Sequence, residues 1–153
     1  FTACEKALPA DIAVCTAAVA DWRVKKPAIQ KIKKTVKSKM PKLELVENPD
    51  ILYRLSNAKK RPPLVIGFAA ETENLLKNAQ VKLKKKGCDW ILANDVSGGK
   101  IFGEEKNTVL LVTDKKTEKW PLLTKQQVAE KLIENVIRHC EKPKATKQSK
   151  YER

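Results

Sequence analysis

Three nearly unbroken apolar runs of strand length, "DIAVCTAAV" at 11 to 19, "PLVIGFAA" at 63 to 70 and "DWILAN" at 89 to 94, set the strongest constraint on the fold. A run without polar alternation fits a strand covered on both faces, and such strands belong to sheets flanked by helices. Between the second and third runs, residues 73 to 86 carry Leu75, Leu76, Ala79 and Leu83 at helical spacing and stop at Gly87. Downstream, "TVLLVT" and "EKWPLL" flank the turn "DKKT" as a hairpin. After Thr124, a candidate cap, Val128, Leu132, Ile133, Val136, Ile137 and Cys140 recur with the period of a helix. Strands alternating with helices predict an α/β layer fold with a largely parallel sheet, closed by an antiparallel edge hairpin.

The region between the first two runs reads differently. "NPDILYRLSNA" opens a helix, with Asn48 as N-cap, Pro49 at the first helical position and Asp50 in the first turn. "LELVE" at 43 to 47 is a short strand candidate, and the basic stretch before it, broken by Pro27 and Pro41, reads as a long loop. "DVSGGKIFGEEKN" is a glycine-rich loop. The glycine within "PLVIGFAA" marks a place where backbone or ligand approaches closely.

With 153 residues, 42% of them hydrophobic, the chain has material for one domain with a real core. No apolar run reaches the ~18 residues of a membrane span, and the opening "FTACEKALPADIA" lacks the pattern of a signal peptide, so a cytoplasmic protein is expected. That opening reads as the last turns of a helix that begins upstream, so the chain is expected to be part of a longer one. Cys4, Cys15, Cys88 and Cys140 are separated by 11, 73 and 52 residues, which fits no paired metal-ligand spacing, and reduced, mostly buried thiols are expected.

A net charge of +14 calls for an anionic partner, and the charge is clustered at Arg23 to Lys42, Lys77 to Lys86 and Lys142 to Arg153. The last cluster has almost no apolar content, so 141 to 153 are expected to form a disordered basic tail behind a domain at 1 to 140. A nucleic-acid-binding module is the competing reading of the charge. Aromatic residues make up only 5% of the chain and do not interleave with the basic clusters as stacking platforms would.

In an open α/β sheet, ligands bind beyond the carboxyl ends of the strands. "AAVADWR", "GFAAET" and "ANDVSGG" reach that edge, each with small residues at the strand end and a carboxylate or amide just past it. Two readings stand for each: Asp21 binds ligand or pairs with Arg23 or a lysine, Glu71 binds ligand or caps the next helix, and Asn94 and Asp95 bind ligand or shape a turn. The single histidine, His139, sits near a helix end and argues against a histidine-based triad or metal centre. Neither G-x-x-x-x-G-K-[ST] nor G-x-G-x-x-G occurs, so lysines and helix N-termini must carry any phosphate binding.

Taken in order, "AAVADWR", "KIKK" ten residues after the aspartate, "NPDIL", "GFAAET", a helix ending in lysines and "ANDVS" resemble the phosphopantothenoylcysteine synthetase domain of bacterial coenzyme A biosynthesis. The resemblance covers roughly residues 11 to 140 and implies a Rossmann-like, mostly parallel sheet with flanking helices. It implies a ligase that uses CTP and Mg2+ to activate 4'-phosphopantothenate as an acyl-cytidylate, which cysteine then attacks with release of CMP. By position, Cys15, Thr16 and Ala17 resemble the backbone edge that meets the nucleotide, and Asp21 a carboxylate that binds it. Lys31 resembles the lid lysine of acyl-cytidylate formation. Pro49, Asp50, Ile51, Leu52, Phe68, Lys82 and Lys86 resemble the remaining nucleotide pocket, while metal ligands are not indicated. Family members pair through this domain, so a homodimer is implied. The family's N-terminal part, with its glycine-rich turn, has no counterpart here. A decarboxylase half, fused or associated upstream, would bring FMN; neither nucleic acid nor membrane is implied as a partner.

Overall fold

The computed structural model describes residues 1–30, 42–97 and 106–141. In chain order it contains α1 (Thr2–Lys6), β1 (Ile12–Cys15), β2 (Trp22–Val24), β3 (Leu45–Glu47), α2 (Ile51–Ser56) and β4 (Leu64–Glu71). There follow α3 (Leu75–Lys86), β5 (Trp90–Asp95), β6 (Lys106–Thr113), β7 (Thr117–Thr124) and α4 (Lys125–Glu141). Five strands form one sheet in the order β1-β4-β5-β6-β7. The pairs β1/β4 and β4/β5 are parallel, and β5/β6 and β6/β7 antiparallel, so the sheet is α/β and mixed, with the expected hairpin at its edge.

The alternation of a pleated strand distributes the apolar runs to two cores. Leu64 and Ile66 of β4, Trp90 and Leu92 of β5, Val109 and Leu111 of β6 and Trp120 of β7 meet Val128 and Leu132 of α4 on one face. On the other, Val65, Ala69, Ile91, Ala93, Leu110 and Val112 pack against Ala79 and Leu83 of α3. Each large side chain fully buried this way contributes about 1.5–3 kcal/mol, which makes β4 and β5 the stable centre.

The helix ends follow local chemistry. Thr124 Oγ1 accepts from the Gln127 N–H (3.1 Å) and Gln127 Oε1 accepts from the Thr124 N–H (2.9 Å), a reciprocal cap that starts α4. Gly87, at φ 70°, ends α3 with its N–H on Leu83 O at 3.0 Å. At the amino ends of β4 and β5, Arg61 donates to Ser56 O (2.9 Å), Pro62 O (2.8 Å) and Asp89 Oδ2 (2.7 Å), while Asp89 Oδ2 also accepts from the Val65 N–H (2.7 Å). This clamp fixes one end of the sheet and leaves the carboxyl ends for other work.

Several expectations are corrected. The first strand ends at Cys15 rather than Val19 and lies at the sheet edge, with Ile12 37% and Val14 46% exposed instead of covered on both faces. Thr16 to Ala20 leave the sheet because Asn48 draws them away: its side-chain amide donates to Ala20 O (2.7 Å) and its N–H to Asp21 O (2.7 Å). Asn48 is therefore a tie between segments and not the N-cap of α2, which is Asp50, accepting from the Tyr53 N–H at 3.0 Å. Trp22–Val24, read as loop, pairs with β3 in a separate two-stranded ribbon. Leu76, Ile133 and Ile137 point outward, and of the four cysteines, all free, only Cys88 is buried while Cys140 is exposed. No helix among the described residues is long and apolar enough to cross a membrane.

Candidate functional site

The carboxyl end of β1 lies beside the middle of β4, where Cys15 pairs with Gly67. A Cβ at Gly67 would stand 2.4 Å from Leu52 Cδ2, so the missing side chain is what lets α2 sit down on the sheet. The close approach expected at this glycine is thus made by Leu52. Asp50, at the N-cap of α2, turns its other carboxylate oxygen to Lys86 Nζ at the end of α3. Burial opposes ionisation of Asp50, but the Lys86 ammonium and the Tyr53 N–H outweigh it and hold the carboxyl below its usual range.

One turn before Lys86, Lys82 Nζ stands 2.7 Å from Glu71 Oε1 at the end of β4. This ammonium is the one partner found for that otherwise buried oxygen among the described residues. Glu71 Oε2 accepts from Asn78 Nδ2 at 3.2 Å. Lys82 and Lys86, four residues apart on one helix face, are thus each matched to a carboxylate on another element.

Cys15, Asp50, Leu52, Lys82 and Lys86 are gathered on the α2 and α3 side of the sheet, and Pro49 and Ile51 flank Asp50 at the start of α2. Thr16 and Ala17 run exposed from the end of β1 towards Asp21, which is also exposed and whose carboxylate takes no ion pair from another described residue. Phe68 projects to the opposite face, against the core under α4. Lys31 lies outside the described residues. At the far end of the ribbon the Lys25 N–H donates to Glu44 O (2.8 Å) and the two side chains pair at 3.2 Å.

Sequence reasoning missed Asn48 as the tie and left Glu71 between two roles. Glu71 does not cap α3; the residue preceding that helix is Asn74, in a left-handed conformation at φ 48°. The signal for its pairing was the i, i+4 spacing of Asn78 and Lys82, which puts both polar ends over one point of the strand edge. Asp95 takes the turn role, its Oδ1 accepting from the Ser97 N–H at 2.8 Å. Burial, then Cys4 and Asp50, push the Cys15 thiol up, so this residue offers backbone and not a thiolate.

The arrangement is suited to an anion. A ligand at the strand ends meets two ammonium groups and the backbone after β1, while the space over Gly67 is taken by Leu52. Among the described residues no group of three or more His, Cys, Asp and Glu is placed to hold a metal ion. A separate groove between β7 and α4 is lined by Glu118, Glu130 and Glu134 together with Lys131 and Arg138, so its charges largely cancel.

The profile of the DNA/pantothenate metabolism flavoprotein C-terminal domain family matches residues 1–139. The chain is 38% identical over 138 residues to the coenzyme A biosynthesis bifunctional protein CoaBC of Haemophilus influenzae, covering 90% of this chain and 34% of that protein. For the protein of the same name from Borreliella burgdorferi, the values are 36% over 124 residues, 80% and 31%. The crystal structure of the C-terminal domain of a coenzyme A biosynthesis bifunctional protein CoaBC superposes with a TM-score of 0.67 at 31% identity, over 92% of this chain and 62% of that one. The chain spans about a third of the length of these two curated relatives.

Proposed function

The chain belongs to the DNA/pantothenate metabolism flavoprotein C-terminal domain family, and from that premise we propose that it carries the nucleotide-handling part of a ligase. The reaction joins 4'-phosphopantothenate to cysteine at the expense of CTP, in coenzyme A biosynthesis. The observation that carries this reading is the pair Lys82 and Lys86, each set against a carboxylate beside the open carboxyl ends of β1 and β4.

In the first half-reaction, the carboxylate of 4'-phosphopantothenate attacks the α-phosphorus of CTP and pyrophosphate leaves. Substrate phosphate and triphosphate together bring about five negative charges, and two anions meet only when that charge is neutralised. Lys82 and Lys86 supply one part of the neutralisation, and Lys31, carried over from the resemblance, supplies another. The backbone at Cys15, Thr16 and Ala17 and the segment Pro49 to Leu52 orient the nucleotide, with Asp21 held at the rim by Asn48. The resemblance assigns Phe68 to the cytosine end of the pocket, although its side chain packs on the face of the sheet opposite Lys82 and Lys86. In the second half-reaction, the amine of cysteine attacks the acyl carbon, forms the amide and expels CMP.

Mg2+, when bound, withdraws charge from the phosphates and aligns them. It commonly keeps its waters and takes only one or two carboxylates beside phosphate oxygens. FMN belongs, in this reading, to the decarboxylase half of the bifunctional relatives and not to this chain.

The domain is also read as a homodimer acting in the cytoplasm, without nucleic acid or membrane as partner. Trp22, Val24 and Leu45 stand exposed on one face of the ribbon, and a two-stranded ribbon is marginal in water without a surface to rest on.

The test is the reaction. With CTP, Mg2+, 4'-phosphopantothenate and cysteine, the intact protein is expected to release CMP and pyrophosphate in equal amounts with the product. Hydrolysis to CDP and phosphate, or no nucleotide consumption, would sink the proposal.

A further inference from the structure

The pocket lysine Lys82 already has an anion. Glu71 holds it at 2.7 Å, and the carboxylate is itself fixed by Asn78 one helical turn earlier and shielded to 13% exposure. Asn78 is in turn anchored on Glu73 O at 2.9 Å, and Glu71 O accepts from the Val96 N–H at 2.8 Å, so the carboxylate belongs to a rigid strand end. The pairing is single-pronged: one ammonium meets one carboxylate oxygen, and the Lys82 side chain stays 41% exposed. A single-pronged ion pair whose ammonium is partly exposed is held less firmly than a buried, bidentate one. It is strong enough to park the ammonium and weak enough to be exchanged.

We propose that Glu71 is an internal competitor for the phosphate groups of the ligand, setting the affinity of the site by occupying Lys82 until a polyanion displaces it. The inference rests on the ligase reading above, in which Lys82 meets the nucleotide. A triphosphate, with several charges acting on Lys82 and Lys86 at once, overcomes the competition. A nucleoside monophosphate has fewer charges to offer, so Glu71 favours release of CMP after the second half-reaction. The carboxylate thereby discriminates by phosphate number, a property that neither lysine has alone.

The test is CTP and CMP binding by calorimetry, in the presence of Mg2+, to the intact protein and to Glu71→Gln, Lys82→Ala and the double variant. Glutamine keeps an oxygen for Asn78 while removing the charge. The proposal expects Glu71→Gln to tighten CTP about threefold and CMP about tenfold, and expects both gains to vanish in the Lys82→Ala background. Should Glu71→Gln fold poorly, Glu71→Ala removes the same charge and must change the two affinities in the same direction. Unchanged or weaker binding, or a gain that persists without Lys82, overturns the proposal. If Lys82→Ala weakens CTP but Glu71→Gln does not tighten it, only this inference falls. If wild-type protein binds no nucleotide, or Lys82→Ala changes nothing, the ligase reading of the pocket falls and takes the inference with it.

Discussion

Replacing Arg61 with alanine is expected to lower the free energy of unfolding by about 3 kcal/mol, measured as the shift of a urea transition at unchanged slope. Among the described residues, the guanidinium is the one group that reaches the end of α2, the Pro62 carbonyl and the β5 side of the sheet together, through Ser56 O, Pro62 O and Asp89. Its side chain is 29% exposed and that of Asp89 34%, so water replaces the lost contacts incompletely. Hydrogen bonds to charged groups contribute about 1.5–3 kcal/mol each, and the partial exposure holds the total near the upper end of one such bond rather than the sum of three. Arg61→Lys keeps the charge but not the planar fork and is expected to recover less than half of the loss. A change under about 1 kcal/mol for the alanine variant would mean that the clamp is ornamental and that the amino ends of β4 and β5 are held by packing alone.

The second large effect is on chemistry. Lys31→Ala is expected to slow acyl-cytidylate formation by about 10²- to 10³-fold, near 3 kcal/mol of transition-state stabilisation, with a much smaller change in CTP affinity. On the proposed function the reason is a division of labour: Lys82 and Lys86, on a packed helix, would act on bound nucleotide in ground and transition states alike, whereas Lys31 would contribute most where charge develops. Lys31→Arg retains the charge and should restore a part of the rate. Rapid quench with radiolabelled CTP separates the half-reactions. Equal loss in both, or an affinity loss as large as the rate loss, would assign Lys31 to plain ground-state binding.

What the sequence disclosed follows from how local each determinant is. β4 and β5 were legible because both of their faces are buried, which leaves a continuous apolar run whatever the partner strands are. β1 was read too long for the opposite reason: Ala17, Ala18 and Val19 look like core, yet their path is set by a hydrogen-bonded tie to Asn48, 28 residues from Ala20. The same tie removed Asn48 from the cap of α2 and left that role to Asp50. β2 escaped notice because three residues carry no period, and its pairing with β3 is a contact across the basic loop. Lys82 and Lys86 share a helix face by spacing alone, so their grouping was foreseeable. Their carboxylate partners were not, since Glu71 and Asp50 reach them through the tertiary packing of β4 and α2 on α3.

The account stands or falls on what occupies the carboxyl ends of β1 and β4. Calorimetric titration of the intact protein with CTP, ATP and UTP, each with Mg2+, tests that most directly, in parallel with the Lys86→Ala variant. The account predicts that CTP binds at least about tenfold more tightly than ATP or UTP and that Lys86→Ala weakens CTP by about tenfold, the loss of one charged contact. Equal binding of all three nucleotides, or CTP binding untouched by Lys86→Ala, would contradict it.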